Sequence, residues 1–378
     1  MHSVAIVGTG FVADLYMRSL GVFPDIRVIA AHDRRAEALA RFTGHWGVEG
    51  RESLGALMDG LPGDTLILNL TNPESHAEVS RACLQAGFDV YSEKPLATTM
   101  EDARALHALA AARGRHLASA PCSVLSETAQ TLWAAVRDGL PGKPLLVYAE
   151  LDDGFIPQAP YRKWLSESGA PWPYEDEFRT GCTLEHAGYC LTWMMAMFGG
   201  VRTVSAASAR LAPHHGLDTG AMAPDTSVAT LFFHSGVVAR LTCSILAAHD
   251  HRFRVVGETG TLEVHDNWNN TDPVRYRRRF VVRRRLVEHP FPRRLRLRGG
   301  SHPKVGRWGA AEMNFALGPA ELLEARREGR APRLSADFAL HLNEVTLAIQ
   351  NAGEDGGAVR MTTPCPAMEP MPWAELRT

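Results

Sequence analysis

The sequence contains no apolar run approaching the roughly 20 residues that a membrane-spanning helix needs. Its opening, Met1 to Val12, is apolar but lacks a basic segment and is broken by Gly8 and Gly10. This reads as a buried strand and turn, not as a signal peptide. Cysteine is sparse, with six residues at 83, 122, 182, 190, 243 and 365 and no C-x-x-C pair. That spacing argues against a zinc ribbon, a redox dithiol or a disulfide scaffold and suits a reducing cytoplasm. Net charge is nearly missing as well: a formal value of −2 gives no global pull toward nucleic acid or an anionic membrane. There is no internal repeat and no low-complexity linker. What remains is an ordinary globular composition, 45% hydrophobic and 22% charged, in a chain of 378 residues that is long enough for two cores. A soluble, cytoplasmic protein is expected.

The apolar runs that do occur are short and regularly spaced. Val4-Ala5-Ile6-Val7 stops at Gly8, and similar buried-strand patterns cover residues 26–31, 65–70 and 88–91. Helical stretches separate them: residues 12–20, 34–42, a segment ending at Ala86, and an alanine-rich run to Arg113 behind Thr98-Thr99. Alternation on this scale predicts a doubly wound parallel sheet over residues 1–120. The rhythm changes near Ala120. After a helical stretch at 127–139, strand patterns occur at 145–150, 201–209, 227–233, 237–245, 253–256 and 261–264, the last two joined by Glu258-Thr259-Gly260. Helical patterns return at 320–328 and 337–351. Residues 121–378 are therefore expected to form an α+β domain around a large, mainly antiparallel open sheet, its last helices free to pack back on the first domain.

Gly8-Thr9-Gly10-Phe11-Val12-Ala13 is G-x-G-x-x-A between a strand and a helix. Gly8 permits the tight turn, Gly10 lets backbone approach a pyrophosphate, and Ala13 allows close helix–sheet packing, which together describe a Rossmann dinucleotide site. A glycine turn before any helix is the plain alternative. Asp33, at the end of the second strand, supports the dinucleotide by offering acceptors to the adenosine ribose hydroxyls. An acid there argues for NAD; Arg34 and Arg35 leave NADP open, since arginine can hold a 2′-phosphate.

Asn69-Leu70-Thr71-Asn72-Pro73-Glu74-Ser75-His76 and Ser92-Glu93-Lys94-Pro95-Leu96-Ala97 resemble two signatures of the Gfo/Idh/MocA family, sugar and cyclitol oxidoreductases of the glucose–fructose oxidoreductase and inositol dehydrogenase type. The resemblance extends over nearly the whole chain. It implies an N-terminal NAD(P)-binding Rossmann domain at 1–120 and a substrate-binding and oligomerisation domain at 121–378. A homodimer or homotetramer through the C-terminal sheet is the expected assembly. The cofactor contacts implied are Gly8, Thr9, Gly10, Phe11, Val12, Ala13, Asp33, Arg34, Thr71, Asn72, Pro73, His76, Glu93 and Lys94.

In that family the lysine of E-K-P sits beside the nicotinamide and the reacting carbon, which makes Lys94 the catalytic candidate. An ammonium there stabilises a developing alkoxide, and burial can lower a lysine pKa enough for proton exchange. A solvent-facing lysine at a strand end is the alternative. The family's second signature, G-G-x-L-x-D-x-G-x-H-x-x-D, is altered here to Gly181-Cys182-Thr183-Leu184-Glu185-His186-Ala187-Gly188-Tyr189-Cys190-Leu191-Thr192. Glu185 falls at the first aspartate, Tyr189 at the usual histidine and Thr192 at the second aspartate. Tyr189 is preferred as acid–base group, needing a nearby positive charge that Lys94 can provide. His186, three residues earlier and on the same helical face, competes for the role.

Arg162, Trp164, Trp172 and Arg179 join Lys94, Glu185 and Tyr189 as substrate candidates, because aromatic faces mixed with polar groups suit a sugar ring. His214-His215 and His249-Asp250-His251 lack a convincing partner set, and no metal is expected. Eleven arginines between Arg275 and Arg298 read as an exposed sheet edge or loop, not as a nucleic-acid patch. The expected activity is NAD(P)-dependent hydride transfer at a carbinol or carbonyl carbon of a sugar, polyol or sugar derivative. A redox-neutral enzyme that uses bound NAD transiently (an epimerase, a lyase or a sugar–sugar oxidoreductase) is the second reading. A non-catalytic sensor of dinucleotide and sugar is the third.

Overall fold

The computed structural model describes residues 1–212, 222–306 and 312–377; His214 and His215 lie outside them. Six parallel strands open the chain: β1 (His2–Val7), β2 (Ile26–His32), β3 (Glu49–Arg51), β4 (Leu66–Asn69), β5 (Asp89–Ser92) and β6 (Leu117–Ser119). They lie in the order β3-β2-β1-β4-β5-β6. Val4, Ala5, Ile6, Leu66, Ile67 and Leu68 are all fully buried, as expected where helices cover both faces of a sheet and the strands need no polar alternation. Chain direction in the order reverses between β1 and β4. The crevice at the carboxyl ends of those two strands is where an open α/β sheet binds ligands.

The second sheet has ten strands, comprising β7 (Pro144–Asp152), β8 (Val201–Ala209), β9 (Thr226–Phe233), β10 (Val238–Ser244), β11 (Phe253–Gly257), β12 (Gly260–Val264), β13 (Arg275–Val282), β14 (Arg285–Glu288), β15 (Arg293–Arg294) and β16 (Gly357–Arg360). The path runs β14-β13-β12-β11-β7-β10-β9-β8-β16, with β15 beside β13. Pairing is antiparallel except between β7 and β10. Burial alternates along β9 and β11, so one face is covered and the other open. The cover includes helix Gly188–Phe198, whose sequence is apolar all round and is buried almost throughout, with Trp193 packed on Phe253 of β11 at 5.3 Å between ring centroids.

Helix Ala336–Gln350 ties the two sheets together. Its Asn343 Oδ1 accepts from the Ala97 N–H at 3.2 Å, and its Gln350 Oε1 accepts from the Leu184 N–H at 3.0 Å. Strands β3 and β6, three residues each, and the exposed β16 went unforeseen, since such short edge segments show neither an apolar run nor alternation.

The arginine-rich stretch forms β13 to β15, with β14 ending one side of the sheet and Arg283 turning the hairpin at φ 56°. Several guanidiniums are already engaged: Arg279 Nη1 donates to Gly257 O at 2.7 Å, and Arg277 Nη1 to Pro290 O at 2.9 Å. An oligonucleotide should therefore bind weakly and lose its hold as salt rises. A gel-shift series run up to physiological salt checks this, and a complex that persists there would refute it.

Candidate active site

Strand β1 delivers the chain into Gly8 at φ +95°, where an added Cβ would stand 2.5 Å from Leu70 O. Both the backbone angle and the close approach require glycine. Gly10 caps helix Phe11–Leu20 without a side-chain hydrogen bond, and a Cβ placed on it would meet nothing within 4 Å. The helix N-terminus thus opens onto free space, the arrangement that receives a phosphate. Ala13 is fully buried against the sheet.

Asp33 is held in place rather than left free. The Thr9 N–H and hydroxyl donate to its Oδ2 at 2.8 and 3.0 Å, and the Arg35 N–H donates to Oδ1 at 2.9 Å. Burial alone would raise this carboxyl, but the bonds from Thr9 and Arg35 outweigh it and keep the pKa below the ordinary value. Asp33 and Arg34 line a cleft of about 260 Å³ together with Gly8, Gly10, Thr71 and Asn72.

That cleft adjoins a larger one of about 690 Å³, lined by Gly10, Phe11, Val12, Thr71, Asn72, Pro73, His76, Glu93 and Lys94 on the first sheet's side. Thr9 and Ala13 line neither and act from beneath. His76 faces inward with both ring nitrogens set against backbone, Nδ1 2.7 Å from Pro95 O and Nε2 2.9 Å from Thr71 O. Glu93 accepts from the Tyr16 hydroxyl at 2.7 Å and from the Lys94 N–H at 3.1 Å, which fixes the chain where it leaves β5. The Lys94–Pro95 peptide bond is cis.

Across the cleft stands Glu185, and the Lys94 ammonium forms an ion pair with its Oε2. Glu185 lies in a π-helical turn, Thr183–Ala187, that runs directly into helix Gly188–Phe198. Burial by itself would lower the lysine pKa. Glu185 and Glu177 more than offset it, so the ammonium is held well above its ordinary value. The charged ammonium expected from sequence is thus favoured, and the lowering that burial alone can bring does not prevail.

Glu177 behaves in the opposite way. Burial and its hydrogen-bonded neighbour Glu185 push its carboxyl well above the usual range against the pull of Lys94, which favours the protonated acid. Tyr189 and His186 line the same cleft, both against Trp268, at 5.1 and 5.7 Å between ring centroids. Burial raises the Tyr189 hydroxyl, and Lys94 only partly counteracts it. The phenol is thus a neutral hydrogen-bond donor, not an activated phenolate. Burial, helped by Lys94 and His251, drives the His186 imidazole well below its ordinary pKa and keeps it neutral.

Trp164 and Trp172 also line the cleft, their rings 5.1 Å apart. Arg162 and Arg179 do not. The Arg162 guanidinium lies over the Tyr174 ring at 4.7 Å and donates to the Tyr174 hydroxyl, while Arg179 is exposed, 3.8 Å from Glu175 one helical turn away. Thr192 is buried and bonds back to Tyr189 O at 3.3 Å. Among the cleft residues missed from sequence are Asp153, Glu177 and Trp268. Glu177 lies two positions before Arg179, the candidate drawn from that stretch. Asp153 directly follows β7 and Trp268 lies in the loop between β12 and β13, neither within a motif. Burial pushes the Asp153 carboxyl up to about 7.

Two models of one family match the chain in succession. Residues 2–120 match the oxidoreductase family with an NAD-binding Rossmann fold, and residues 129–263 match the GFO/IDH/MocA C-terminal domain. The chain belongs to the Gfo/Idh/MocA oxidoreductase family. Its N-terminal part is accordingly an NAD-binding Rossmann unit. Among relatives, bovine trans-1,2-dihydrobenzene-1,2-diol dehydrogenase is 24% identical over 257 residues, 68% of this chain and 65% of that protein. Inositol 2-dehydrogenase 3 of Saccharopolyspora erythraea is 30% identical over 115 residues, 30% of this chain and 34% of that one. The matched segments thus span less than two thirds of either relative. The structure of aldose-aldose oxidoreductase from Caulobacter crescentus, complexed with glycerol, superimposes with a TM-score of 0.71 over 95% of this chain and 99% of that one at 21% identity, which shows a shared fold. Among the described residues no helix is long and apolar enough to cross a membrane.

Proposed function

We propose that this Gfo/Idh/MocA member is an NAD(P)-dependent oxidoreductase acting on a CH–OH group of a sugar, polyol or sugar derivative. One observation carries the reading: the Lys94–Glu185 pair faces the same cleft as the open N-terminus of helix Phe11–Leu20. A lysine kept charged at the carboxyl edge of a Rossmann sheet is placed for a substrate oxygen beside the nicotinamide. The Gly8–Gly10 turn fits a pyrophosphate and Asp33 fits a ribose, so the residues present suit the dinucleotide, which when bound gives or takes the hydride.

The remaining chemistry falls to side chains. The Lys94 ammonium orients the substrate oxygen and stabilises negative charge on it. In the reducing direction that oxygen takes its proton from Lys94, with the Tyr189 hydroxyl as second donor; in oxidation Lys94 must first pass a proton to the Glu185 carboxylate before it can take the one that the substrate hydroxyl releases. Glu177, whose raised carboxyl favours the acid form, is placed to exchange a proton with Glu185. Trp164, Trp172 and Trp268 offer apolar faces among the polar groups, as a sugar ring requires.

Asp33 should make NAD the preferred cofactor, because a carboxylate repels a 2′-phosphate. Fluorescence titration with NADH and NADPH at matched ionic strength checks this; tighter NADPH binding would mean that Arg34 and Arg35 dominate. The activity is tested by incubating enzyme and NAD with a panel of sugars and polyols. NADH accumulation is the expected result. Product without net NADH would instead indicate the redox-neutral chemistry, and cofactor binding without any turnover would reject catalysis.

A further inference from the structure

Beside His186 and Trp268 the chain gathers a second group of chemically active side chains. Asp153, just beyond β7, and His249 and His251, just before β11, each present one ligand atom, and all three atoms lie within 4.8 Å of one another. Sequence showed only His249-Asp250-His251; the missing partner comes from a position almost a hundred residues earlier. The His251 side chain is wholly buried; its Nδ1 faces Asp266 Oδ1 at 3.5 Å, while its Nε2 makes no hydrogen bond among the described residues and lies 3.9 Å from Asp153 Oδ1. A buried imidazole nitrogen left unbonded is costly unless something else uses its lone pair. His186 adds a second such nitrogen: among the described residues its Nδ1 is buried without a partner, and its Nε2 stands 3.8 Å from Asp153 Oδ2.

We propose that Asp153, His249 and His251 bind a divalent transition-metal ion, with Zn²⁺ the ion their chemistry suits best. Two imidazole nitrogens and one carboxylate oxygen form a borderline donor set, whereas Mg²⁺ and Ca²⁺ favour all-oxygen shells. Asp266 completes the arrangement from behind. It is placed to accept the Nδ1–H of His251, which would leave the Nε2 lone pair for the ion, and it is itself fixed by the Trp268 N–H at 2.9 Å. The ligand atoms would close in around the ion, since Zn–N and Zn–O bonds are about 2 Å. Asp153 lines the large cleft, so the open coordination position faces substrate and can take a hydroxyl or carboxylate oxygen. That last role rests on the proposed oxidoreductase activity; binding of the ion does not.

The test uses the full chain, stripped with chelator and dialysed, then titrated with Zn²⁺ alone and with Co²⁺ alone. Calorimetry should show a single ion per chain, and Co²⁺ should give visible ligand-field bands. His249 is exposed, so His249→Ala removes its ring contact with His251, 3.9 Å between centroids, but no core side chain, and it should abolish both signals, as should Asp153→Asn. Asp266→Asn should weaken binding by about 10- to 100-fold. NADH binding reports that each variant is folded. Failure of the unmodified chain to take up either ion overturns the proposal, and so does binding that survives His249→Ala. Because no turnover is measured, failure of the oxidoreductase reading would not alter these results.

Discussion

Lys94→Met should lower kcat by about two orders of magnitude or more while leaving NADH affinity nearly unchanged. The ammonium faces the cleft and pairs with Glu185, so its loss removes the positive charge at the reacting oxygen but none of the Gly8–Ala13 turn. The change also strands Glu185, whose side chain is only 4% exposed. Breaking a buried pair from one side costs about 3–5 kcal/mol of stability, although protonation of the stranded carboxylate can relieve part of that. Thermal melts and NADH titrations should therefore accompany the kinetics. A variant that is folded, binds NADH and turns over at the unmodified rate would remove Lys94 from the chemistry. Since Lys94 is held above its ordinary pKa, any fall in rate between neutral and mildly alkaline pH must arise from another group.

Tyr189→Phe is expected to cause a loss of similar size. If Lys94 and Tyr189 serve one oxygen, the double variant should fall well short of the product of the two single effects. His186→Asn should be milder, because His186 is neutral and lies toward Asp153. Single-turnover rates for the unmodified protein and the four variants decide the matter. Near-normal turnover in Tyr189→Phe together with a dead His186→Asn would transfer the acid–base role to His186.

The Rossmann sheet was readable because β4 and β5 are buried throughout and the strands run into marked turns: Gly8 after β1, Asp33 after β2, Thr71-Asn72-Pro73 after β4 and Glu93-Lys94-Pro95 after β5. β8 was bounded correctly, Val201–Ala209, because less and more buried positions alternate along it beyond a shift of register between Val201 and Thr203. Positions within the cleft were readable only where a motif named them, as with Lys94, Glu185 and Tyr189. Their protonation states were not. Lys94 sits in a balance between burial, which lowers its pKa, and three carboxylates, Glu185, Glu177 and Glu93, which raise it. One of those carboxylates, Glu177, comes from a helix that no pattern linked to β5. Arg162 shows the converse: offered as a substrate contact, its guanidinium lies over the ring of Tyr174, twelve positions along, and donates to that hydroxyl.

The π turn at Thr183–Ala187 amounts to one residue inserted into an otherwise continuous helix. Deleting His186 or Ala187, the residues of the turn that lie between Glu185 and Tyr189, would let the segment close into ordinary α-helix. The chain on its N-terminal side would then rotate by about 100° against helix Gly188–Phe198. Glu185 and Tyr189 could no longer both be aimed at Lys94, although the helix and its apolar surroundings would survive. The reaction centre is thus keyed to a reading frame of side chains: a three-base deletion here would re-aim the site wholesale, an outcome that no single substitution elsewhere in the helix could produce.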